Sequence, residues 1–410
     1  MKQNQLERQE NTNKQSTIKK PILQLIVNKI LSCPNQTISK SSGFIESLIS
    51  KNIKNLKLFS EDGLPDEVPI LRSIIWKINF GYLPIDNEEW PNILEDKRTS
   101  YFYYKEIFTK KLNEEYKLYK DYDSMTKEQK ENLDKKTNKL LLEQICKDVN
   151  RTHNQMDFFF KSIDENNILS KNELMEMMEN RRNCSMKNVN DIYKINIKET
   201  HADVIVRILF IYSTFFPDLS YVQGMNEIIA PIYYVFSFDK TYGIEPSIEN
   251  IEADTFWAFN SLMSQLKDTF NREKDDEDIG VSGKVKRLKS MLKIVDTQLF
   301  DHFEKYNLEF SAFAYRWFIL FFSQEFLMID ILRLWDYIFA PDNKFQNCYF
   351  VSLAILLLKK DELLVSDLTG MLSELKTLKG LNVEEIILLS KKIKSQYGQQ
   401  CLLIINEGNE

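Results

Sequence analysis

Apolar residues recur at helical spacing along most of this sequence. Leu71, Ile74 and Ile78 follow the i, i+3, i+7 spacing of a single helix face. Residues 204–216 carry two adjacent apolar rows, which predicts a helix that is buried on most sides. Strands would instead show a period of two, so the spacing favours an all-α fold.

Residues that interrupt helices are scarce. The chain of 410 residues contains 11 glycines and 10 prolines, about 5% of the total, against roughly 12% in average proteins. A sandwich or barrel of many strands requires more turns than this composition supplies. The scarcity of turn-forming residues therefore supports the all-α prediction.

The rest of the composition indicates a globular protein of the cytosol. No apolar run reaches 18 residues and residues 1–17 are polar, so we expect neither a transmembrane helix nor a signal peptide. The five cysteines are scattered and odd in number, which predicts reduced thiols and excludes a structural zinc site. A net charge of −6 argues against nucleic acid as a partner.

Changes in pattern along the chain predict three segments. Residues 1–43 form a basic, disordered N-terminal segment, although residues 22–31 within it show helical spacing. Residues 44–270 form one helical lobe with a polar insertion at about 164–198, and residues 271–410 form a second lobe and tail. We place the boundary between the lobes in the charged run 271–278, which has no apolar face.

Finer predictions concern where individual helices begin and end. One apolar stripe over residues 44–59 predicts a single helix, and the pattern over residues 140–151 predicts another. The charged residues before Asn138 are expected to be solvated or partly looped. The apolar helix from Ile228 is expected to be entered or kinked at Pro231.

Motifs for a self-contained active site fail on inspection. Gly280, Gly283 and Lys284 lack the spacing of a phosphate-binding loop. The stretch from Asp164 lacks the glycine and the closing glutamate of a calcium loop. Only three histidines occur, and no Ser or Cys lies in an elbow-type glycine motif, which argues against a hydrolase with its own nucleophile.

One candidate segment contains Ile145, Asp148 and Arg151. On a helix, side chains three residues apart fall along one side, so Asp148 can hold the backbone or a neighbouring cation while Arg151 projects. The alternative is an ordinary surface ion pair of the i, i+3 type, worth about a few tenths of a kcal/mol.

A second candidate segment, residues 220–226, lies in the short turn between two buried helices. Such a turn holds polar side chains on a rigid framework, and Gly224 lets the backbone approach a partner closely. The alternative is that Gln223 and Asn226 merely cap the next helix.

Together the two segments resemble the TBC domain family, whose members activate Rab GTPases. The arginine motif of that family, I-x-x-D-x-x-R, is matched by Ile145, Asp148 and Arg151. Its glutamine motif, Y-x-Q, is matched by Tyr221 and Gln223. The two motifs occur in the family's order, and the resemblance spans roughly residues 44 to 360.

Other landmarks of the family occur in this chain. The entry motif is found at 63–65, followed by Arg72 and Trp76, and the late motif L-R-L-W-D is found at 332–336. The chain departs from the pattern at Leu327, where the family often has proline, and in the long polar insertion between its two motifs.

The resemblance implies a two-lobed helical GTPase-activating protein that supplies its catalytic groups in trans. Arg151 would stabilise charge that develops on the phosphates of GTP, and Gln223 would orient the attacking water. The supporting positions are Asp148, Tyr221, Ile145 and Gly224. Because GTP and Mg²⁺ belong to the partner, a GTP-bound Rab, this chain is expected to need no cofactor or metal of its own.

The family's role implies regulation of vesicle trafficking, in the cytoplasm and with recruitment to endomembranes. Two alternatives remain. The chain could be a catalytically silent Rab-binding scaffold, or a helical adaptor that associates peripherally with membranes through its basic N-terminal segment. The presence of both Arg151 and Gln223 favours the activator.

Overall fold

A computed structural model of the chain describes residues 22–118, 124–164, 199–217, 220–238, 247–270, 279–378 and 380–406. These residues form eighteen α-helices and one short 3₁₀ helix, Asp157–Phe160, and include no β-strand. The all-α prediction is confirmed. The helices are α1 (Ile22–Leu31), α2 (Asn35–Ile49), α3 (Ile53–Asp62), α4 (Pro69–Asn79), α5 (Trp90–Leu118), α6 (Lys127–Lys136), α7 (Lys139–Val149), α8 (His201–Phe215), α9 (Met225–Ser237), α10 (Ile248–Phe270), α11 (Val281–Val295), α12 (Thr297–Lys305), α13 (Ser311–Leu320), α14 (Met328–Ile338), α15 (Gln346–Leu358), α16 (Lys360–Leu364), α17 (Leu368–Lys376) and α18 (Val383–Asn406).

The helices divide into two packed groups. In the first group α9 packs against α10, and α8 packs against α7. In the second group α15 packs against α18, and α11 packs against α13. The groups meet where α14 lies against α3 and where α9 contacts α13 and α14. The predicted boundary at residues 271–278 and the predicted insertion, from residue 165 onwards, lie outside the described residues.

Helices α8 and α9 carry the turn that holds Gln223, and both are buried for clear sequence reasons. Thr200 and Asp203 form a capping box that starts α8, in which each side chain accepts a hydrogen bond from the other's backbone amide. The two apolar rows of α8 then face the core on both sides, as their spacing predicts. Helix α9 begins at Met225 and continues through Pro231 to Ser237, so the prediction that the helix is entered at Pro231 is wrong.

The N-terminal prediction requires a correction. Residues 22–43 are helical rather than disordered, because Ile22, Ile26 and Ile30 form a buried face and α1 packs on α2. This agrees with the helical spacing of residues 22–31. Residues 1–21, the remainder of the predicted disordered segment, lie outside the described part of the chain.

Two helix boundaries also differ from their predictions, and side-chain caps explain both. The single helix predicted over 44–59 is two helices, because Asn52 accepts a 3.1 Å hydrogen bond from the amide of Asn55 and starts α3. The charged stretch before Asn138 contains α6, whose first turn is fixed by a capping box of Thr126 and Gln129. Periodicity missed α6 because it has no buried face.

The landmark residues at both ends of the resemblance meet at one buried carboxylate. Asp336 on α14 accepts hydrogen bonds from the guanidinium of Arg72 (Nη2–Oδ2 3.0 Å), the indole of Trp76 (2.8 Å) and the amide of Leu64 (3.1 Å). Asp336 is fully buried, so its charge depends on these donors for compensation. This Asp336 cluster joins the first helix group to the second and sets how the two groups meet.

Candidate functional site

The arginine segment straddles the end of α7. Helix α7 ends at Val149, two residues earlier than Arg151, so the predicted helix over residues 140–151 is too long. Ile145 and Asp148 are buried in α7, whereas the Arg151 side chain is 68% exposed in the turn that follows. Arg151 therefore lies beyond the end of the helix that carries Ile145 and Asp148. Ile145 anchors the end of α7 in the core, and only Arg151 faces solvent.

A buried acid and a backbone carbonyl hold the Arg151 guanidinium. Its Nη2 donates to Oδ1 of Asp148 at 2.6 Å, and its Nε donates to the carbonyl of Lys147 at 3.2 Å. The predicted i, i+3 ion pair is thus present, but its acidic half is 5% exposed and fixed in place. Arg151 keeps donors on the exposed side of its fork that can meet an anion.

The second oxygen of Asp148 connects the arginine segment to the glutamine segment. The hydroxyl of Tyr221 lies 3.0 Å from Oδ2 of Asp148, although the two residues are 73 positions apart. Burial and the nearby Asp148 carboxylate raise the pKa of Tyr221 well above its usual value, so the hydroxyl keeps its proton. The predicted supports of the two motifs therefore contact each other.

The glutamine turn has a tightly determined backbone. Gly224 has φ +110°, a left-handed value that side chains disfavour. A Cβ atom on Gly224 would lie 2.8 Å from Cδ2 of Leu320 in α13. The predicted close approach at Gly224 is therefore already made by this chain itself. Helix α9 begins with Gly224 at its N-cap and no side-chain cap hydrogen bond, so Gln223 does not cap it and stays exposed.

Arg151 and Gln223 line the same cleft, which has a volume of about 540 Å³. The start of α9 forms part of its lining, and α13 contributes Tyr315, Arg316 and Ile319. The cleft thus lies where α9 and α13, from the two helix groups, come together. Two side chains predicted from separate motifs are brought to one surface open to solvent.

Sequence reasoning missed two charged residues of this cleft, and it missed one contact between the two turns. Arg316 is a second cation in the cleft, paired with the buried carboxylate of Glu325 through Nε–Oε1 at 2.7 Å. Glu227 lies in its lining, and burial raises the pKa of its carboxyl above the usual value. Asn226 and Thr152 connect the two turns by a 2.6 Å hydrogen bond. No local pattern could reveal these contacts, because each depends on how distant segments pack.

The chemistry available in the cleft is electrostatic. The cleft presents the exposed guanidinium of Arg151, held by a buried carboxylate, and the exposed amide of Gln223, held on a rigid turn. These two groups can bind and orient an anionic reactant. Within the described residues, no group of three or more His, Cys, Asp or Glu side chains is placed to hold a metal ion. The arrangement suits a protein that completes the active site of another molecule.

Comparisons with known proteins show what the whole chain is similar to. The model of the Rab-GTPase-TBC domain family matches residues 181–364, a range that includes Gln223 and Asp336. The chain is 32% identical over 355 residues to TBC1 domain family member 13 of Homo sapiens, covering 77% of this chain and 88% of that protein. It is 25% identical to GTPase-activating protein GYP1 of Saccharomyces cerevisiae, covering 77% of this chain and 42% of that protein.

One solved structure supports the fold. The crystal structure of the Ypt/Rab-GAP domain of Gyp1p superposes with a TM-score of 0.62 at 21% identity, covering 88% of this chain and 99% of that domain. Helices in this chain therefore follow the architecture of that domain even where the sequences have diverged.

Proposed function

Because this chain belongs to the TBC domain family, we propose that it is a GTPase-activating protein for a Rab-family small GTPase, supplying an arginine and a glutamine in trans. The observation that carries the proposal is the shared cleft of Arg151 and Gln223. Their supports, Asp148 and Tyr221, are hydrogen-bonded to each other. Two groups that act on one transition state must be held at a fixed position relative to each other, and the hydrogen bond between Asp148 and Tyr221 fixes that position.

Arg151 supplies the charge that a slow GTPase lacks. During hydrolysis negative charge develops between the β- and γ-phosphates, and an arginine provided in trans typically raises kcat by about 10³ to 10⁵-fold. Arginine stays protonated at every physiological pH and its planar fork matches phosphate oxygens. The buried carboxylate of Asp148 orients that fork while leaving its outer face free.

Gln223 supplies the group that places the attacking water. A side-chain amide accepts a hydrogen bond from water through its oxygen and donates through its nitrogen, without gaining or losing a proton. In Rab-type GTPases a glutamine of the GTPase itself usually has this task. We propose that Gln223 takes it over, since its turn is fixed by Gly224 on one side and Tyr221 on the other.

The partner brings the remaining chemistry. A GTP-bound Rab carries the nucleotide and Mg²⁺, and this chain adds no cofactor or metal in the proposed mechanism. The proposal places the protein in the cytoplasm with recruitment to endomembranes, where it would regulate vesicle trafficking. Among the described helices none is both long enough and apolar enough to cross a bilayer.

The proposed activator role is favoured over both alternatives. A silent scaffold has no use for an exposed arginine held by a buried acid beside an exposed glutamine. A membrane adaptor built on residues 22–31 would need a free apolar face, but Ile22, Ile26 and Ile30 are buried against the rest of the chain.

GTP hydrolysis measured across a panel of purified Rab proteins tests the proposal. We expect at least one GTP-loaded Rab to hydrolyse its nucleotide about 10³-fold faster or more when the full chain is added. Binding of a GTP-loaded Rab with no change in its hydrolysis rate would support the scaffold instead.

A further inference from the structure

A single buried amide connects the turn of Arg151 to the turn of Gln223. Asn226 is 5% exposed and lies at the start of α9. Its Oδ1 accepts a 3.0 Å hydrogen bond from the amide of Gly224. Its Nδ2 donates to the hydroxyl of Thr152 at 2.6 Å, and Thr152 directly follows Arg151. Each end of the amide therefore serves a different turn.

Neighbouring contacts reinforce the same connection. The Tyr221 hydroxyl lies 3.0 Å from Oδ1 of Asn226 as well as 3.0 Å from Asp148. The Thr152 hydroxyl lies 3.0 Å from the backbone carbonyl of Asp148. Nδ2 of Asn226 also lies 3.2 Å from Oε1 of Glu227. The buried atoms between the two turns thus form one hydrogen-bonded network with Asn226 at its centre.

The donors and acceptors around Asn226 allow only one orientation of its amide. The backbone N–H of Gly224 can only donate, so it must face the oxygen. The nitrogen then faces the hydroxyl of Thr152. Aspartate could not donate to Thr152 and would add a charge next to Asp148 and Glu227, and an aliphatic side chain would leave both turns unpaired.

We propose that Asn226 is a positioning residue that holds the Arg151 turn and the Gln223 turn in one fixed relationship. The proposal rests on the function proposed above and assigns Asn226 an indirect role, through the two turns that carry Arg151 and Gln223. Its effect is on the geometry of the two catalytic side chains. Displacing either by about 1 Å can cost up to about a hundredfold in rate.

The kinetic test uses Asn226→Ala and Thr152→Val in the full chain, with a Rab that the wild type accelerates. We expect Asn226→Ala to lower kcat about tenfold to a hundredfold while KM changes less than about twofold. Thr152→Val removes the same hydrogen bond, so the double variant should lose little more than Asn226→Ala alone. Additive losses, or an unchanged kcat in Asn226→Ala, would contradict the proposal.

Asn347→Ala is the matched control. Asn347 is also fully buried and donates to the carbonyl of Tyr337 at 2.8 Å, but it lies on α15 rather than in the cleft. Measured below its melting temperature, Asn347→Ala should keep the wild-type kcat. An equal loss of kcat in this control would show that general destabilisation explains the result, and would overturn the positioning role.

Hydrogen exchange of the free protein tests the connection without any GTPase. Thr152→Val should speed amide exchange in residues 220–225, on the far side of the connection, while Asn347→Ala should not. If residues 220–225 of Thr152→Val exchange at the wild-type rate, the proposed coupling between the two turns is contradicted. A wild type that accelerates no Rab would defeat the proposed function, whereas this exchange measurement would still decide whether Asn226 couples the turns.

Discussion

The hydroxyl of Tyr221 lies 3.0 Å from Oδ2 of Asp148, whose other carboxylate oxygen holds the guanidinium of Arg151. Both residues are buried, so this contact is made inside the protein. Burial also raises the pKa of Tyr221, so its hydroxyl keeps the proton that it donates. It makes the position of the proposed arginine finger depend on the turn that carries the proposed glutamine finger.

Tyr221→Phe tests that dependence. Loss of one buried hydrogen bond should lower the free energy of unfolding by about 1 kcal/mol, and kcat for a responsive Rab should fall about tenfold or more because Asp148 and Arg151 are freed to move. Single-turnover hydrolysis and urea unfolding measure the two effects. Tyr337→Phe removes a comparable buried bond to Ser390 (2.9 Å) and should lower stability while preserving kcat.

Arg151→Lys separates charge from geometry. Lysine keeps the positive charge but loses the planar fork, so we expect most of the acceleration to disappear, and Arg151→Ala to lose about 10³-fold or more. Lysine keeps a cation beside the buried Asp148 carboxylate, so thermal unfolding should shift little in Arg151→Lys, whereas Arg151→Ala leaves that carboxylate without its counter-charge and should also lower the melting temperature. A lysine variant that accelerates a Rab normally would refute the finger assignment.

Asp336→Asn tests the junction of the two helix groups. The change leaves the buried Arg72 without a full counter-charge, which should lower the free energy of unfolding by about 3–5 kcal/mol. Asp342→Asn is the control, because Asp342 pairs with Lys57 at the surface and should cost about 0–1 kcal/mol. Equal losses in denaturant titrations of the two variants would show that the Asp336 cluster does not hold the groups together.

The half-buried ring of His201 makes stability depend on pH. The ring stacks on Phe158 and shares a 2.7 Å hydrogen bond with Tyr233, and burial, aided by Lys161, lowers the pKa of His201 to about 4. The unfolded chain, with a pKa near 6.5, binds this proton first. The contribution of His201 to stability is therefore complete above about pH 6.5 and is lost as the pH falls towards 4.

His201→Gln should remove that dependence. The free energy of unfolding is measured with denaturant between pH 4 and 6.5. Its slope against pH should be shallower in the variant than in the wild type, by the amount that corresponds to the uptake of up to about one proton on unfolding. Equal slopes would mean that folding does not lower the pKa of His201, and would contradict the prediction.

Local apolar spacing predicts most of the helices because it depends on residues close together in the chain, whereas the two motifs were identified by their resemblance to a family pattern. The helix over residues 22–31 has a buried apolar face, so its sequence shows helical spacing. Helix α6 has no buried face and begins with a capping box, so apolar spacing does not predict it. The end of α7 at Val149 was also missed, since the spacing of Ile145, Asp148 and Arg151 looks helical throughout.

The contacts that organise the molecule were beyond sequence reasoning. Arg72 and Asp336 are 264 residues apart, and Thr152 and Asn226 are 74 apart. Arg72 and Asp336 both belong to motifs of the family pattern. Only the packing of α14 against the first helix group shows that the two side chains form one buried cluster. The pairing of Thr152 with Asn226 likewise becomes visible only once α7 and α9 are packed together.

Substitution of Gln223 tests whether its amide takes part in catalysis. If Gln223 orients the attacking water, Gln223→Ala should lower kcat for a wild-type Rab by about a hundredfold with no matching loss of stability. The combined change of Arg151 and Gln223 should cost less than the sum of the two single losses, because both act on one transition state. An unaltered rate with a lowered melting temperature would give Gln223 a structural role only.

The most direct test uses a responsive Rab whose own switch-region glutamine is replaced by leucine. Single-turnover hydrolysis of GTP is measured for this Rab alone, with the wild-type chain, and with Gln223→Ala. We predict strong acceleration by the wild-type chain and almost none by Gln223→Ala. If the wild-type chain accelerates the unmodified Rab but fails to accelerate the leucine variant, the claim that this protein supplies both catalytic groups is contradicted.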